Sequence, residues 1–245
     1  MKRKITTFAM FLAVTLFADA PQVPEPETAN DLSSHITFKV DFENGIDAAA
    51  ARGNARQRMN PKVANVPGVS GKAVTVEQDE KNRVYLRYAM QDNLNISEPG
   101  TLLFWLKITE PDNIAKGPVC FFSTDYIKTG YMPFQLELIN GKKTMCLYFI
   151  GFEGMGRPAA RVVPDWKPGE WVQWGIAWDG LEYSIYFNGN LVKSLTLPRK
   201  PKQEELNKGF TFSLHHGFAF DEVQIFDIML TPEQIKQLYL DNAGK

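Results

Sequence analysis

Short runs of alternating apolar and polar residues recur along the chain, punctuated by glycine, proline, asparagine and aspartate. Ile36, Phe38, Val40 and Phe42 alternate with polar neighbours, which predicts a strand with one buried face. Residues 72–77 and 83–88 predict two more strands around a polar turn at 78–82. Residues 101–109 are apolar on both parities until Lys107, as in a central strand covered on both faces. Residues 119–123, 134–139 and 144–150 follow, the last two flanking Asn140-Gly141. The densest pattern runs through residues 171–178, 181–187 and 191–195. Asp179-Gly180 and Asn188-Gly189 stand between these runs, and such pairs tolerate the positive φ of tight hairpins. Residues 210–214 and 220–226 complete about a dozen strands. Thr231, Pro232 and Gln234 then form a capping box, and Ile235, Leu238 and Tyr239 share one face of a short helix. The stretches 43–70 and 151–164 read as irregular, with at most a helical turn at 48–51. The pattern predicts an all-β protein, a two-sheet antiparallel sandwich with a short C-terminal helix.

The N-terminus carries a different signal. Lys2, Arg3 and Lys4 precede an apolar run from Ile5 to Phe17, and Ala18 and Ala20 supply small residues for cleavage. This predicts a signal peptide over 1–20 and a secreted, periplasmic or cell-surface product. Residues 21–34 read as a flexible proline-rich linker and 35–245 as the folded domain. No later run is long enough for a membrane span. Loss of residues 1–20 changes the formal net charge from −1 to −3, because three basic groups and one acid leave with them. That balance offers no electrostatic basis for nucleic-acid binding. Cys120 and Cys146 invite a disulfide in an oxidising compartment. If 119–123, 134–139 and 144–150 pair in that order, however, the two lie two strands apart, roughly 9–10 Å, beyond disulfide reach.

Several stretches, in order, carry a family resemblance. They are Phe42-Glu43-Asn44-Gly45, Gly71-Lys72-Ala73-Val74, residues 101–107, Gly169-Glu170-Trp171, Ala177-Trp178-Asp179-Gly180 and Tyr186-Phe187-Asn188-Gly189. Residues 220–226 followed by residues 230–235 close the series. Over about residues 36–240 the chain resembles a laminin-G-like jelly roll of the concanavalin A-like lectin/glucanase superfamily. The resemblance implies a jelly-roll sandwich, a fold that hosts lectins, adhesion modules and enzymes alike. It also implies one structural calcium ion where the first and last strands meet, with Asp41, Glu43 and Asp221 as contributors.

Candidate chemistry is sparse. The glucanases of that superfamily carry Glu-x-Asp-x-x-Glu on one strand, and no such spacing occurs here. Glu77-Gln78-Asp79 comes nearest, but Asn82 stands where the last glutamate should be. Arg83, Tyr85 and Arg87 alternate as in a lyase strand, without a histidine motif. His215 and His216 point to opposite faces of a strand and make a poor metal pair. Trp166 lies between Pro164 and Pro168 in a predicted loop, and Tyr126, Tyr131, Phe152 and Arg157 also sit in predicted loops. A glycan site could be drawn from these, with Trp166, Tyr131, Phe152 and Arg157 as its candidates, because sugars stack on exposed rings; the competing reading has Trp166 folded over the sandwich edge. Arg52, Arg56, Arg58 and Lys62 form a basic cluster that an acidic polysaccharide could meet, or an ordinary solvated surface.

The expectation is a non-catalytic recognition module for a glycan or an extracellular protein. The alternatives are a structural subunit of a surface layer and, with least support, a polysaccharide hydrolase or lyase. The sequence sets no oligomeric state.

Overall fold

The computed structural model describes residues 31–59, 61–77, 84–109, 118–125, 130–202, 205, 208–215 and 217–243. The signal segment, the linker up to residue 30, Asp79, Glu80, Arg83, Tyr126 and His216 lie outside these. Two antiparallel sheets face each other. One has nine strands and the other six.

The nine-stranded sheet is built on β6 (Gly100–Ile108) and β15 (Phe218–Phe226). On the β6 side follow β11 (Trp171–Trp178), β12 (Glu182–Phe187) and β13 (Asn190–Thr196). These are the consecutive hairpins that the sequence predicts. Asn188 and Gly189 both adopt positive φ, 51° and 72°, which matches the right-handed twist of the flanking strands. On its other side β15 pairs in two halves. Its first half pairs with β4 (Lys72–Val76), which carries β3 (Val63–Pro67); its second half pairs with β1 (Ile36–Val40), which carries β2 (Ala50–Ala51). A register break falls between the halves at Asp221–Gln224, with Glu222 at φ 44°. This bulge re-aims Asp221.

The six-stranded sheet runs in the order β10 (Ala159–Val162), β9 (Lys142–Tyr148), β8 (Pro133–Ile139), β7 (Val119–Thr124), β14 (Gly209–Leu214), β5 (Val84–Ala89). Cys120 and Cys146 both stand in register with Gln135 on the strand between them, and no disulfide joins them. The edge of β5 is partly covered. The backbone N–H of Arg58 donates to the Arg87 carbonyl, and Gln57 Nε2 donates to the Tyr85 carbonyl.

The core between the sheets is strongly aromatic. Phe104 on β6 meets Phe134 and Phe212 edge-on and stacks on Phe220 at 5.7 Å. Trp174 and Trp178 share this core, as their parity with Val172 and Ile176 predicts. A second cluster lies on the outer face of the nine-stranded sheet, where Leu103, Tyr186 and Phe226 meet Leu32, Leu230 and Ile235. This explains why β6 is apolar on both parities. Helix α1 (Pro232–Ala243) covers the cluster, and Tyr239 stacks on Trp105 at 5.5 Å. Its capping box closes reciprocally, Thr231 N–H to Gln234 Oε1 and Gln234 N–H to Thr231 Oγ1.

Three expectations need correction. Residues 43–70 and 151–164 are not wholly irregular, because they contain β2, β3 and β10. Ala50 and Ala51 are extended rather than helical. A short 3-10 helix, Asp31–His35, belongs to the folded body, because Leu32 is buried in the outer cluster; the flexible linker therefore does not extend to residue 34.

Candidate functional site

A cleft of about 990 Å³ opens where β1 and β14 begin and β5 and β15 end. One buried amide builds it. Asn93, fully buried in the turn after β5, accepts a hydrogen bond at Oδ1 from the Gly53 N–H (2.8 Å). Its Nδ2 donates to the carbonyls of Asn54 and Ala89, both at 3.0 Å. Its own carbonyl accepts from Thr37 Oγ1 at 2.7 Å. A single residue thus ties the segment after β2 to the end of β5 through its side chain and to the start of β1 through its carbonyl. The walls approach so closely that a Cβ on Gly53 would stand 2.1 Å from the Gln91 carbonyl oxygen, which no residue but glycine permits.

The lining is polar. Gln91, Asn54 and Asn95 present amides, and Arg52, Arg58, Lys208, Asp92 and Asp227 present charges. Arg52 is anchored by Asp227 at 2.5 Å and by the Ser34 carbonyl at 2.7 Å. His35 Nδ1 holds the other Asp227 oxygen at 2.9 Å. Burial pushes the Asp227 carboxyl up, but the hydrogen bonds from Arg52 and His35 outweigh it and hold the group below the usual carboxylate range. Arg58 and Lys208 are exposed and make no ion pair with any described residue. Among the described residues no aromatic side chain lines the cleft. Of the basic cluster seen in the sequence, Arg52 and Arg58 line it, whereas Arg56 and Lys62 do not.

The four residues proposed from the sequence as a glycan platform do not form one. Trp166 is 8% exposed, with its ring among Phe121, Trp174 and Phe218. Phe152 is 4% exposed and packs on Phe149 and over Gly130. Neither offers a face to a sugar. Trp166 folds into the sandwich instead, as the competing reading had it. Tyr131 is half-buried and bridges by its backbone to Ile150. Arg157 is exposed, its guanidinium 4.8 Å above the Tyr148 ring.

Asp41, Glu43 and Asp221 gather near the loop 68–72, but as hydrogen-bond acceptors. Asp221 is fully buried; Oδ2 accepts from the Val69 and Ser70 N–H groups at 2.7 and 3.2 Å, and Oδ1 from its neighbour Glu222 at 2.8 Å. Burial pushes its carboxyl up to about 7, against the pull of these donors. Glu43 Oε1 accepts from the Lys72 N–H at 2.8 Å, and Asp41 Oδ1 from the Glu43 N–H at 3.3 Å. Calcium needs six to eight oxygens. Here each carboxylate faces backbone N–H, and among the described residues no three His, Cys, Asp or Glu side chains converge. The donor set does not fit the ion that the resemblance implies.

A model of the laminin-G-like family, described as concanavalin A-like lectin/glucanases superfamily, matches residues 79–236. The chain belongs to this superfamily. No curated protein matches the laminin-G-like chain by sequence. Among solved structures it is similar to domain 4 of AbnA, an extracellular arabinanase of family GH43 from Geobacillus stearothermophilus, in complex with arabinotriose. That match has a TM-score of 0.64 and 17% identity, and covers 84% of this chain and 98% of that domain. The chain is also similar to the binding domain of botulinum neurotoxin serotype D. Here the TM-score is 0.67 and the identity 15%, covering 86% of this chain and 53% of that one. A botulinum neurotoxin type C structure, whose cell entry depends upon interaction with two ganglioside molecules, matches with a TM-score of 0.67 at 13% identity. It covers 88% of this chain and 53% of that one. The laminin-G-like chain spans about half the length of these neurotoxin chains. At such identities the likeness is one of fold.

The remaining polar clusters of the laminin-G-like domain are committed to structure. On β8 and β9, Tyr148 donates to Glu137 Oε2 at 2.9 Å, and burial foremost pushes its phenol up to about 12. That phenol stays protonated at neutral pH and is no general base. Arg87, from the strand that resembled lyase chemistry, is locked in a forked pair with the buried Asp125. His215 Nε2 lies 3.1 Å from the Cys120 carbonyl. Glu205 clamps two loops: Arg199 grips both its oxygens at 2.6 and 2.9 Å, and the backbone N–H groups of Lys202 and Glu153 add two bonds. The hydrogen bonds from Arg199 hold its carboxyl down at about 2. A depressed carboxylate contributes stability that is complete above its unfolded value and lost as pH falls through its folded one. Glu205→Gln is therefore expected to be less stable than wild type at pH 7. The two should converge as pH drops from about 4.5 towards 2, read from urea midpoints along a pH series.

Proposed function

We propose that this chain is a non-catalytic recognition module of an extracellular or cell-surface protein, and that its ligand is a glycan held in the cleft around Asn93. The carrying observation is that cleft. It is open, close to 990 Å³, and rigidly built by a buried amide, with further amides and charges facing inward. Ligand pockets of about 300–1,000 Å³ with a few fixed polar groups are the usual form of small-ligand sites. The AbnA domain that this fold resembles was solved with arabinotriose, and the type C neurotoxin interacts with gangliosides. Both precedents are consistent with a glycan. The secreted location rests on the N-terminal sequence pattern; no described helix is long and apolar enough to cross a membrane.

The test is a glycan array followed by calorimetry on the best hit. Gln91→Ala combined with Asn54→Ala is expected to weaken that hit about thirtyfold, since each hydrogen bond contributes about 1 kcal/mol. An array with no hit, or a hit indifferent to both substitutions, would remove the cleft from the account. A protein ligand would then be the better reading.

A further inference from the structure

Two cations of the cleft that have no carboxylate partner among the described residues narrow the ligand class. We infer that the cleft selects an anionic glycan residue, one bearing a uronate carboxylate or a sulfate ester; this deepens the glycan reading above and rests on it. Three basic side chains line the cleft, Arg52, Arg58 and Lys208, against two acids, Asp92 and Asp227. The formal charge of the whole chain is −1, so the cleft is positive within an acidic protein.

The pairing inside it is asymmetric. Asp227 is spent on Arg52 and His35, which makes that trio an internal strut. Arg58 and Lys208 have no carboxylate partner among the described residues, although both backbones are fixed. The Arg58 N–H donates to the Arg87 carbonyl at 2.9 Å, and the Lys208 carbonyl accepts from the Met90 N–H at 3.1 Å. Two cations from separate segments, each with its backbone held, therefore line one cleft without an ion-pair partner among the described residues. A planar guanidinium and an ammonium lining one cleft suit an oxyanion, through charge-assisted hydrogen bonds.

The rest of the lining suits the sugar that would carry it. Gln91 and Asp92 line it with groups of the kind that bind hydroxyls, and Asn54 and Asn95 add their amide NH₂ groups, their Oδ1 atoms already accepting from the Arg56 N–H and from Ser97. Neutral sugars are commonly held by stacking on an aromatic face. Among the described residues no aromatic side chain lines this cleft, so charge and hydrogen bonds supply the affinity. Such binding weakens steeply with salt.

The mature chain would be titrated with polygalacturonate, a sulfated galactan and neutral arabinan at low and high sodium chloride. The variants are Arg58→Gln with Lys208→Gln, and Lys193→Gln on the exposed edge strand β13 as a charge control. Retained melting midpoints establish folding. Expected is binding to at least one anionic polymer, weakened more than tenfold by the double variant and by salt, and unchanged by Lys193→Gln. Preference between the two anionic polymers tells carboxylate from sulfate. Tight binding of arabinan that ignores the double variant would overturn the anionic selectivity but leave the recognition module standing. Equal loss in the control would overturn it too, by reducing the effect to net charge. Failure of all three polymers alongside an empty glycan array would overturn the glycan reading itself, and the selectivity with it.

Discussion

Asp221→Asn is expected to lower stability by about 3 kcal/mol in buffer stripped of divalent ions with chelator. The carboxylate accepts one N–H on Oδ1 and two on Oδ2. An amide can present its oxygen to only one side, so its NH₂ must face at least one N–H donor. A neutral hydrogen bond contributes about 1 kcal/mol, and a buried N–H left facing another donor costs about 1–3 kcal/mol more; no charge is counted, because burial raises this carboxyl to about 7. The loop 68–71 is the segment released, because Gly68 packs directly on Asp221 Oδ2. The measurement is a pair of urea curves for wild type and variant, each with and without calcium. If the carboxylate serves backbone N–H groups, chelator leaves the wild-type midpoint unchanged. A wild-type midpoint that rises with calcium and a variant that ignores the ion would restore a metal at Asp41, Glu43 and Asp221.

Phe104→Ala should be costlier, about 3–5 kcal/mol, the range for truncating a fully buried aromatic. Phe104 stands where both sheets meet, between Phe134 and Phe212 of one and Phe220 of its own. The neighbours are rings locked against further rings, so the void cannot readily collapse. For a domain of this size the melting point should fall by roughly 10 °C. The contrasting site is Leu191, half exposed on the edge strand β13, where the same truncation should move the midpoint little. A Phe104→Ala midpoint within two or three degrees of wild type would mean that the sheets do not pack as described.

Local pattern carried the fold well where chemistry is local. Asn140-Gly141 and Asn188-Gly189 mark their hairpins because few other pairs accept positive φ at both positions. Thr231 and Gln234 mark the helix start through a motif four residues long. What escaped were β2, β3 and β10. Each is short and lies at or near a sheet edge, and each is extended because a partner strand imposes it; Ala159–Val162 is aligned by residues 145–148 of β9. Trp166 shows the complementary error. A loop position flanked by prolines says where the backbone runs, not where the ring points. The cleft was hardest to foresee. Its struts join Gly53 to Asn93, 40 residues on, and Arg52 to Asp227, 175 residues on. Only Arg52 and Arg58 stood out beforehand, as bare charge in a basic stretch.

The outer apolar cluster has a consequence for how this protein can be attached to anything else. Leu32 from the first described turn and Ile235 from the last helix are buried in the same patch. The first described turn and the last helix therefore both pack on the outer face of the nine-stranded sheet. A surface anchor, a companion domain or an affinity tag joined at either end would hang from that side. The six-stranded sheet is the layer away from that side.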